Sequence, residues 1–289
     1  MIPAAFEYLR PKTIPEAIGF LQQYGDDAKI LSGGQSLIPM MKFRLARPSY
    51  LIDINRISGL SYIREEGGYL RIGGLTREAE LEHSALIHAK YPILADTSRV
   101  IADPQIRNLA TLAGNLAHGD PANDHPATML ALRAEIVAMG PRGERVLAVD
   151  SFFVTLFTTQ LEHDEIVTEI RIPVPPQRSG GAYFKLERKV GDFATAAVAA
   201  QLTIDSGGAC RSVGIGLTNV GATPIRAARA EEFLRGKPFD DTNIARAAQL
   251  AAEEAQPSSD LRGPEEYKRG LVKELTRRAL TRAYQRAGK

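Results

Sequence analysis

Apolar positions in the first part of the chain form two short runs and one helical pattern. The sequence TIPE at residues 13–16 has the arrangement of a helix start, in which the threonine caps the first turn and proline fits it. A helix is therefore predicted over residues 15–24. The apolar runs at 28–31 and 50–54 predict two short buried strands. We interpret residues 1–57 as a small β-α-β subdomain.

A larger α+β subdomain is predicted over residues 58–175. Two alternating runs meet at EGG (66–68), which predicts a β-hairpin. Residues 102–127 are rich in Gly, Pro, Asn and Asp and predict a long irregular loop, which in a compact domain is usually functional. The remaining predicted elements are helices at 76–81, 85–100 and 124–133 and strands at 135–139, 145–149 and 165–172.

The pattern changes after the linker-like run PVPPQRSGG. Three strand-like runs separated by glycine turns predict an antiparallel sheet. Helical patterns follow at 226–234, 242–254 and 264–287, and the last carries an apolar stripe at a spacing of four, surrounded by Lys and Arg. That arrangement favours a solvated helix over a core rather than a nucleic-acid surface. Residues 176–289 are predicted to form a C-terminal domain, and the fold class is α+β.

Composition narrows the classes of function. The chain has 289 residues, 24% of them charged, and a net charge of +2, which gives no reason to expect nucleic acid as a partner. No apolar run reaches the roughly 20 residues of a transmembrane helix. The N-terminus lacks the layout of a secretory signal, so we expect a cytoplasmic protein.

Cysteine usage is more informative. The only cysteine is Cys210, which excludes an internal disulfide, a cysteine-ligated iron–sulfur cluster within this chain and a multi-cysteine zinc site. Because no histidine lies near Cys210 in the sequence, a role as a small strand residue is favoured over a role as a nucleophile.

The sequence SGGQS at residues 32–36 places two glycines directly after a predicted strand. Adjacent glycines leave the backbone N–H groups uncovered and tolerate positive φ. The loop also stands at the carboxyl end of the strand, where open α/β sheets tend to bind ligands. A phosphate site and an ordinary tight turn are both consistent with this loop taken alone.

A second loop has the same character. TLAGN (111–115), followed by HGDPAND (118–124), combines small residues with short hydroxyl and amide side chains. Two such loops facing each other could hold a diphosphate through backbone dipoles, helped by the hydroxyls of Ser36 and Thr111. Asp124, at the start of the next predicted helix, could accept a hydrogen bond from a ribose or an adenine amine.

Other sites find weaker support. A Rossmann site needs Gly-x-Gly-x-x-Gly between a strand and a helix, and a hydrolase needs Gly-x-Ser-x-Gly; neither is present in that context. His118, Asp120, Asp124 and His125 are possible metal ligands, but their spacing matches no helical two-histidine pattern, and the segment is equally typical of a turn followed by an N-cap.

Four motifs in register carry a resemblance to a known family. SGGQSL with MMKFR, QIRNLATLAGNLAHGDPANDHPA, DEIVTEIRIP and AYFKLERKVGDFA occur in this order and resemble the FAD-binding medium subunit of the molybdenum hydroxylases. The chain is most similar to the carbon monoxide dehydrogenase type, and the xanthine dehydrogenase flavin domain is more distant. The resemblance covers essentially the whole chain. It implies a two-part FAD-binding domain of the vanillyl-alcohol-oxidase-like (PCMH) type, followed by a C-terminal domain.

The resemblance also implies which residues bind FAD. The acidic residue near the adenosine end matches Asp124, with Asp120 on the same loop. The aliphatic residue near the isoalloxazine matches Val167, with Ile166 beside it, and the lysine close to the flavin matches Lys185. The full expected set is Ser32, Gly33, Gly34, Gln35, Ser36, Leu37, Ile101, Thr111, Ala113, Gly114, Asn115, Asp120, Asp124, Ile166, Val167 and Lys185.

Two positions depart from the family pattern. Position 113 is Ala where the family usually has Gly, so φ is expected to be negative there. Position 35 is Gln where several relatives have His. Glutamine cannot form a histidyl link to flavin, so non-covalent FAD is expected, and both departures keep the backbone donors.

The function implied by the resemblance is electron transfer within a larger oxidoreductase. Because this chain lacks the cysteines for iron–sulfur clusters and shows no molybdopterin motif, an iron–sulfur small subunit and a molybdopterin large subunit are expected as partners, in a dimer of heterotrimers. The alternatives are a stand-alone FAD-dependent oxidoreductase of the same fold and a cofactor-free assembly subunit.

Overall fold

The structure, a computed structural model, describes residues 2–288. Its first sheet is parallel and three-stranded, in the order β1-β3-β2. The elements of this part are β1 (Glu7–Leu9), α1 (Ile14–Tyr24), a 3₁₀ turn (Gly25–Asp27), β2 (Ala28–Leu31), α2 (Leu37–Lys42) and β3 (Tyr50–Asp53). The hydroxyl of Thr13 accepts a hydrogen bond from the N–H of Glu16, as the helix-start pattern predicts. The predicted helix and two strands are confirmed, whereas β1 and α2 were not anticipated.

The second sheet is antiparallel and five-stranded, in the order β4-β5-β10-β6-β7. The predicted hairpin is confirmed, with Gly67 and Gly68 at positive φ in its turn. The elements are β4 (Ile63–Glu66), β5 (Tyr69–Gly73), α3 (Glu78–His83), α4 (Ala85–Lys90), α5 (Pro92–Arg99), α6 (Pro104–Arg107), α7 (Leu112–His118), α8 (His125–Leu132), β6 (Glu135–Gly140), β7 (Gly143–Ala148), α9 (Val149–Phe152), β8 (Phe153–Thr155), β9 (Thr158–Thr159) and β10 (Ile166–Pro173).

The prediction of a long irregular loop over residues 102–127 is wrong, because α6 and α7 occupy much of it. Asp103 caps α6 by accepting a hydrogen bond from Ile106 N at 2.9 Å, and Pro104 occupies the first helical position. Thr111 caps α7 in the same way. Helices this short bury no long apolar stripe, so periodicity gives no signal and only the capping residues do.

The third sheet is antiparallel, in the order β11-β12-β13-β14, and the helices of the C-terminal part pack on one of its faces. Ala196, Val198 and Ala200 of the second strand face that helical layer, while Ala197 and Ala199 enter the core of the second sheet. Successive side chains of this strand point to opposite faces of the sheet, and both faces are buried, so its sequence is apolar without interruption. The elements are β11 (Ser179–Leu186), β12 (Ala196–Ile204), β13 (Cys210–Thr218), β14 (Ile225–Arg226), α10 (Ala228–Leu234), α11 (Asp241–Glu254) and α12 (Glu265–Ala287).

The α+β class is therefore confirmed. Of the helices within residues 2–288, none has the combination of length and apolar character required to span a bilayer.

Cys210 provides the first prediction. It lies buried in β13, and burial raises the pKa of its thiol to about 11. Because the thiolate is the reactive species, we expect a thiol reagent such as 5,5′-dithiobis(2-nitrobenzoate) to label less than about a tenth of the native protein in one hour at pH 8. The same reagent should label one thiol per chain in guanidinium chloride. Rapid stoichiometric labelling of the folded protein would contradict the strand-core assignment.

Candidate functional site

The two glycine-containing loops, residues 32–36 (the first loop) and 111–115 (the second loop), lie against each other. The hydroxyls of Ser32 and Thr111 are 2.9 Å apart, within hydrogen-bond distance. A Cβ built on Gly33 would lie 2.4 Å from the carbonyl oxygen of Leu109 and 2.8 Å from the Cα of Ala110. Position 33 must therefore be glycine, because the backbone of Leu109 and Ala110, just before the second loop, packs directly against it.

Gly34 is required for a different reason. Its φ is +73°, and a Cβ there would lie 2.8 Å from the Cδ1 atom of Ile38. The side chain of Gln35 turns back and donates a hydrogen bond from Nε2 to the carbonyl oxygen of Gly33 at 2.9 Å. Ser36 precedes α2 and makes no side-chain capping bond, and Leu37 is the first helical residue.

The second loop is the first turn of α7. Thr111 Oγ1 accepts a hydrogen bond from the N–H of Gly114 at 3.2 Å, so this hydroxyl is already engaged by the protein. Ala113 lies within the helix and has a negative φ, in agreement with the expectation for alanine at this position. The second loop therefore presents its backbone as the amino end of a helix rather than as an irregular turn.

Together the two loops expose a group of backbone donors. Within residues 2–288, several N–H groups at this contact donate no hydrogen bond to the protein. They include those of Gly33, Gly34, Gln35, Ser36 and Ala113. Converging N–H groups at a loop and a helix start favour an anion without a lysine or arginine contact.

Asn115 adds an unpaired acceptor beside these donors. Its Oδ1 atom is buried and has no hydrogen-bond partner among the described residues, although its backbone oxygen accepts from Asn123 Nδ2 at 2.8 Å. A buried amide oxygen without a partner is unfavourable unless a bound molecule or water supplies the donor. The residues present thus fit a ligand that combines a diphosphate with hydrogen-bond donors.

A second group of site residues surrounds the carboxylate of Asp124. Its Oδ2 atom accepts a hydrogen bond from Lys185 Nζ at 3.0 Å, and its Oδ1 atom accepts one from the hydroxyl of Tyr183. Lys185 Nζ also donates to the carbonyl oxygen of Val100 at 3.1 Å and lies 3.2 Å from Glu187 Oε2. Burial raises the pKa of the Asp124 carboxyl, and Lys185 and Tyr183 oppose this shift. The sequence reasoning missed Tyr183 and the pairing of Asp124 with Lys185.

The other expected residues lie around this group and at the sheet. Ile101 is buried, and its carbonyl oxygen accepts from Arg107 Nη1 at 3.0 Å. A cavity of about 450 Å³ lies beside it, lined by side chains that include Val100, Pro104 and Glu187. Asp120 caps its own turn by accepting from Ala122 N.

Strand β10 begins with Ile166 and Val167, and both side chains are buried. Ile166 packs in the core of the first sheet, and Val167 packs in the core of the second. The strand has a register irregularity between Val167 and Glu169. Their role near an isoalloxazine stays a prediction.

The four possible metal ligands point into different surroundings. The ring of His118 is tilted against that of Phe157, Asp120 accepts a hydrogen bond within its own turn, and His125 Nε2 lies 2.7 Å from Glu78 Oε2 in a fully buried pair. Across residues 2–288, no group of three or more His, Cys, Asp or Glu side chains has the geometry to hold a metal ion.

The fold and the two loops are those of a class of flavin-binding proteins. Comparison with known proteins assigns the chain to the same class. Residues 4–175 match the family described as FAD binding domain in molybdopterin dehydrogenase, and residues 181–283 match the CO dehydrogenase flavoprotein C-terminal domain. The chain belongs to this family of FAD-binding medium subunits.

Individual relatives extend along the whole chain. It is 45% identical to the carbon monoxide dehydrogenase medium chain of Hydrogenophaga pseudoflava, with 99% of each chain covered. It is 47% identical to the corresponding chain of Afipia carboxidovorans, again with 99% of each chain covered, and 36% identical to the caffeine dehydrogenase subunit beta of a Pseudomonas species, with 99% and 97% covered. The solved carbon monoxide dehydrogenase from Hydrogenophaga pseudoflava superposes with a TM-score of 0.96 at 46% identity, covering 99% of both chains.

The Asp124–Lys185 pair generates a stability prediction. In Lys185→Met, a buried carboxylate loses its cation, and we expect a loss of about 3–5 kcal/mol in the free energy of unfolding at pH 7. The loss should shrink at lower pH, because a protonated Asp124 carries no charge to be buried. The double variant Asp124→Asn, Lys185→Met should recover much of the loss, measured by urea unfolding.

The control for this pair is Glu274→Gln, which removes two exposed ion pairs of α12, those of Glu274 with Arg277 and with Arg278. We expect it to change the free energy of unfolding by less than about 1 kcal/mol. Equal losses in Lys185→Met and in the double variant would contradict the assignment of a buried charge pair.

Proposed function

We propose that this chain is the FAD-carrying electron-transfer subunit of a multi-subunit molybdenum hydroxylase. The observation that carries the proposal is the group of unpaired backbone N–H groups where the two loops meet. In this proposal those groups bind the FAD diphosphate, and the helix start at α7 contributes its dipole. The unpaired Oδ1 atom of Asn115 accepts a hydrogen bond from the same ligand.

The remaining site residues are assigned to the two ends of the coenzyme. Ile101, Asp120 and Asp124 are proposed to lie towards the adenosine, and Ile166 and Val167 towards the isoalloxazine. Because the Asp124 carboxylate already accepts bonds from Tyr183 and Lys185, its contact with adenosine would use a remaining lone pair. In this proposal the Asp124 carboxylate is held in place by Tyr183 and Lys185 and orients the adenosine by accepting a hydrogen bond from it.

The ion pairs of Lys185 with Asp124 and Glu187 determine how strongly its charge can affect a bound flavin. Bound FAD accepts electrons singly and releases them in pairs. Because Lys185 Nζ lies 3.0 Å from Asp124 Oδ2, the two residues cannot serve opposite ends of the coenzyme, so with Asp124 towards the adenosine Lys185 lies there too and acts on the ring only at a distance. Here Asp124 and Glu187 compensate the ammonium, so its field at the ring is weaker than that of an isolated lysine.

Partner chains complete the proposed activity. Since the chain has one cysteine, iron–sulfur clusters must reside on another subunit, as must the molybdenum cofactor at which substrate reacts. Relatives are named as medium chains or subunits of dehydrogenase complexes, which supports this division of labour. We further propose a dimer of heterotrimers, and within this chain a division into residues 1–57, 58–175 and 176–289.

Gly34→Asp tests the first loop. The Cβ would enter a loop held at positive φ against the side chains of Ile38 and Leu31, and the carboxylate would add negative charge to the loop that binds the diphosphate, so we expect FAD affinity to fall at least about 100-fold. The measurement is fluorescence titration of the apoprotein with FAD. Gly236→Asp is the matched control, because Gly236 also has positive φ, +75°, with no atom within 4 Å of a built Cβ. Unchanged FAD stoichiometry and affinity in Gly34→Asp would overturn the loop assignment.

The division of labour gives a second test. The purified chain, reconstituted with FAD, should show flavin absorption and reduce artificial dyes with a chemical reductant. It should not hydroxylate an organic substrate or oxidise carbon monoxide, because in this proposal the metal centre at which those reactions occur belongs to a partner chain. Substrate turnover by the isolated chain would favour a stand-alone oxidoreductase. Absence of any FAD binding would favour a cofactor-free assembly subunit.

A further inference from the structure

Two side chains outside the glycine loops connect one loop to the other. Asn55, just after β3, donates a hydrogen bond from Nδ2 to the carbonyl oxygen of Ser32 at 2.8 Å. Its Oδ1 atom accepts from Arg77 Nη2 at 2.5 Å. Arg77 Nη1 donates in turn to the carbonyl oxygen of Leu109 at 2.6 Å. We call this chain of three hydrogen bonds the Asn55–Arg77 bridge.

The Asn55 end of the bridge is held in place by a carboxylate. Asp53 Oδ1 accepts from the backbone N–H of Asn55 at 2.9 Å and from its Nδ2 at 2.6 Å, and Asp53 Oδ2 accepts from the hydroxyl of Tyr8. Burial acts to raise the pKa of the Asp53 carboxyl, but the bonds from Tyr8 and Asn55 outweigh it and hold the pKa below its usual range. A carboxylate therefore fixes the orientation of the amide, so that Nδ2 faces Ser32 and Oδ1 faces Arg77.

The Arg77 end is held by the start of a helix. The backbone N–H of Arg77 donates to Glu80 Oε2 at 2.8 Å in the capping arrangement of α3, and its backbone pairs with that of Thr111. The side chain is half-buried. The guanidinium therefore has little freedom to leave its two acceptors, and its positive charge lies where the two loops meet.

We propose that Asn55 and Arg77 are positioning residues for the FAD diphosphate, a role that rests on the proposed function above. Backbone donors bind an anion well only when their spacing is set in advance. The bridge joins the backbone at the start of the first loop to the backbone two residues before the second. It thus sets the separation of the two groups of N–H donors, while its charge favours an anion between them. Neither side chain needs to contact the phosphates.

The test compares FAD affinity in Arg77→Met, Asn55→Leu and the double variant, using the full chain and fluorescence titration. Each single variant should weaken binding about tenfold or more, since each removes hydrogen bonds that involve a charged group or depend on one. The double variant should bind about as weakly as the weaker single variant, because both changes break the same chain of bonds. Arg77→Lys should fail to restore affinity, because an ammonium lacks the fork that reaches two acceptors.

Arg64→Met is the matched control. Arg64 is an exposed arginine in β4 whose removal changes the net charge equally; it pairs with the exposed Glu66 and lies over the ring of Tyr62. We expect its FAD affinity to equal that of the wild type. Urea unfolding of each apoprotein separates loss of binding from loss of stability.

Several results would overturn the proposal. These are wild-type affinity in Arg77→Met, additive losses in the double variant, or full rescue by Arg77→Lys, which would reduce the effect to charge alone. If Arg77→Met does not fold, Arg77→Lys and Asn55→Leu decide the question by the same criteria. A wild-type chain that binds no FAD would refute the proposed function itself, whereas binding by the wild type with no effect of the variants refutes only the bridge.

Discussion

The structure of the site depends on one close approach between two backbone segments. At Gly33 the first loop comes so near to Leu109 and Ala110 that no Cβ fits between them. This contact places a loop that follows a parallel strand against the first turn of α7. Because both segments have unpaired N–H groups where they meet, neither has to supply a cationic side chain to attract an anion. The hydroxyl contact and the Asn55–Arg77 bridge then hold the arrangement.

The second constraint is the core that α8 shares with the third sheet. Ala197 and Ala199 of β12 enter the core beneath the second sheet, so the C-terminal strands are packed against the helix that begins after Asp124. Lys185 and Tyr183 therefore meet the Asp124 carboxylate in a buried position. A buried ion pair of this kind contributes little net stability compared with apolar packing, but removing one partner is costly. We infer that it orients groups near the cofactor site rather than stabilising the fold.

Much of the architecture could be read from local sequence. The TIPE start, the apolar runs and the glycine turns led to α1, to the β4–β5 hairpin and to the sheets, because each is decided by neighbouring residues. The prediction of an irregular loop over residues 102–127 is wrong, since α6 and α7 are too short for periodicity and only Asp103 and Thr111 mark their starts. The bare backbone of Gly33 and Gly34 was recognised, but its cause was not. A neighbouring segment distant in sequence, rather than a ligand alone, excludes a side chain at Gly33.

The sequence by itself determined the fold class, the family and the positions of the two glycine loops, because capping residues, alternation and motif order are local properties of the chain. Only the tertiary structure decided that Asn55 and Arg77 join those loops and that Asp124 is paired with Lys185 and Tyr183. These partners lie 22 to 61 positions apart along the chain. Which polar groups meet across such separations depends on how the sheets and helices pack, and short-range patterns carry no information about that.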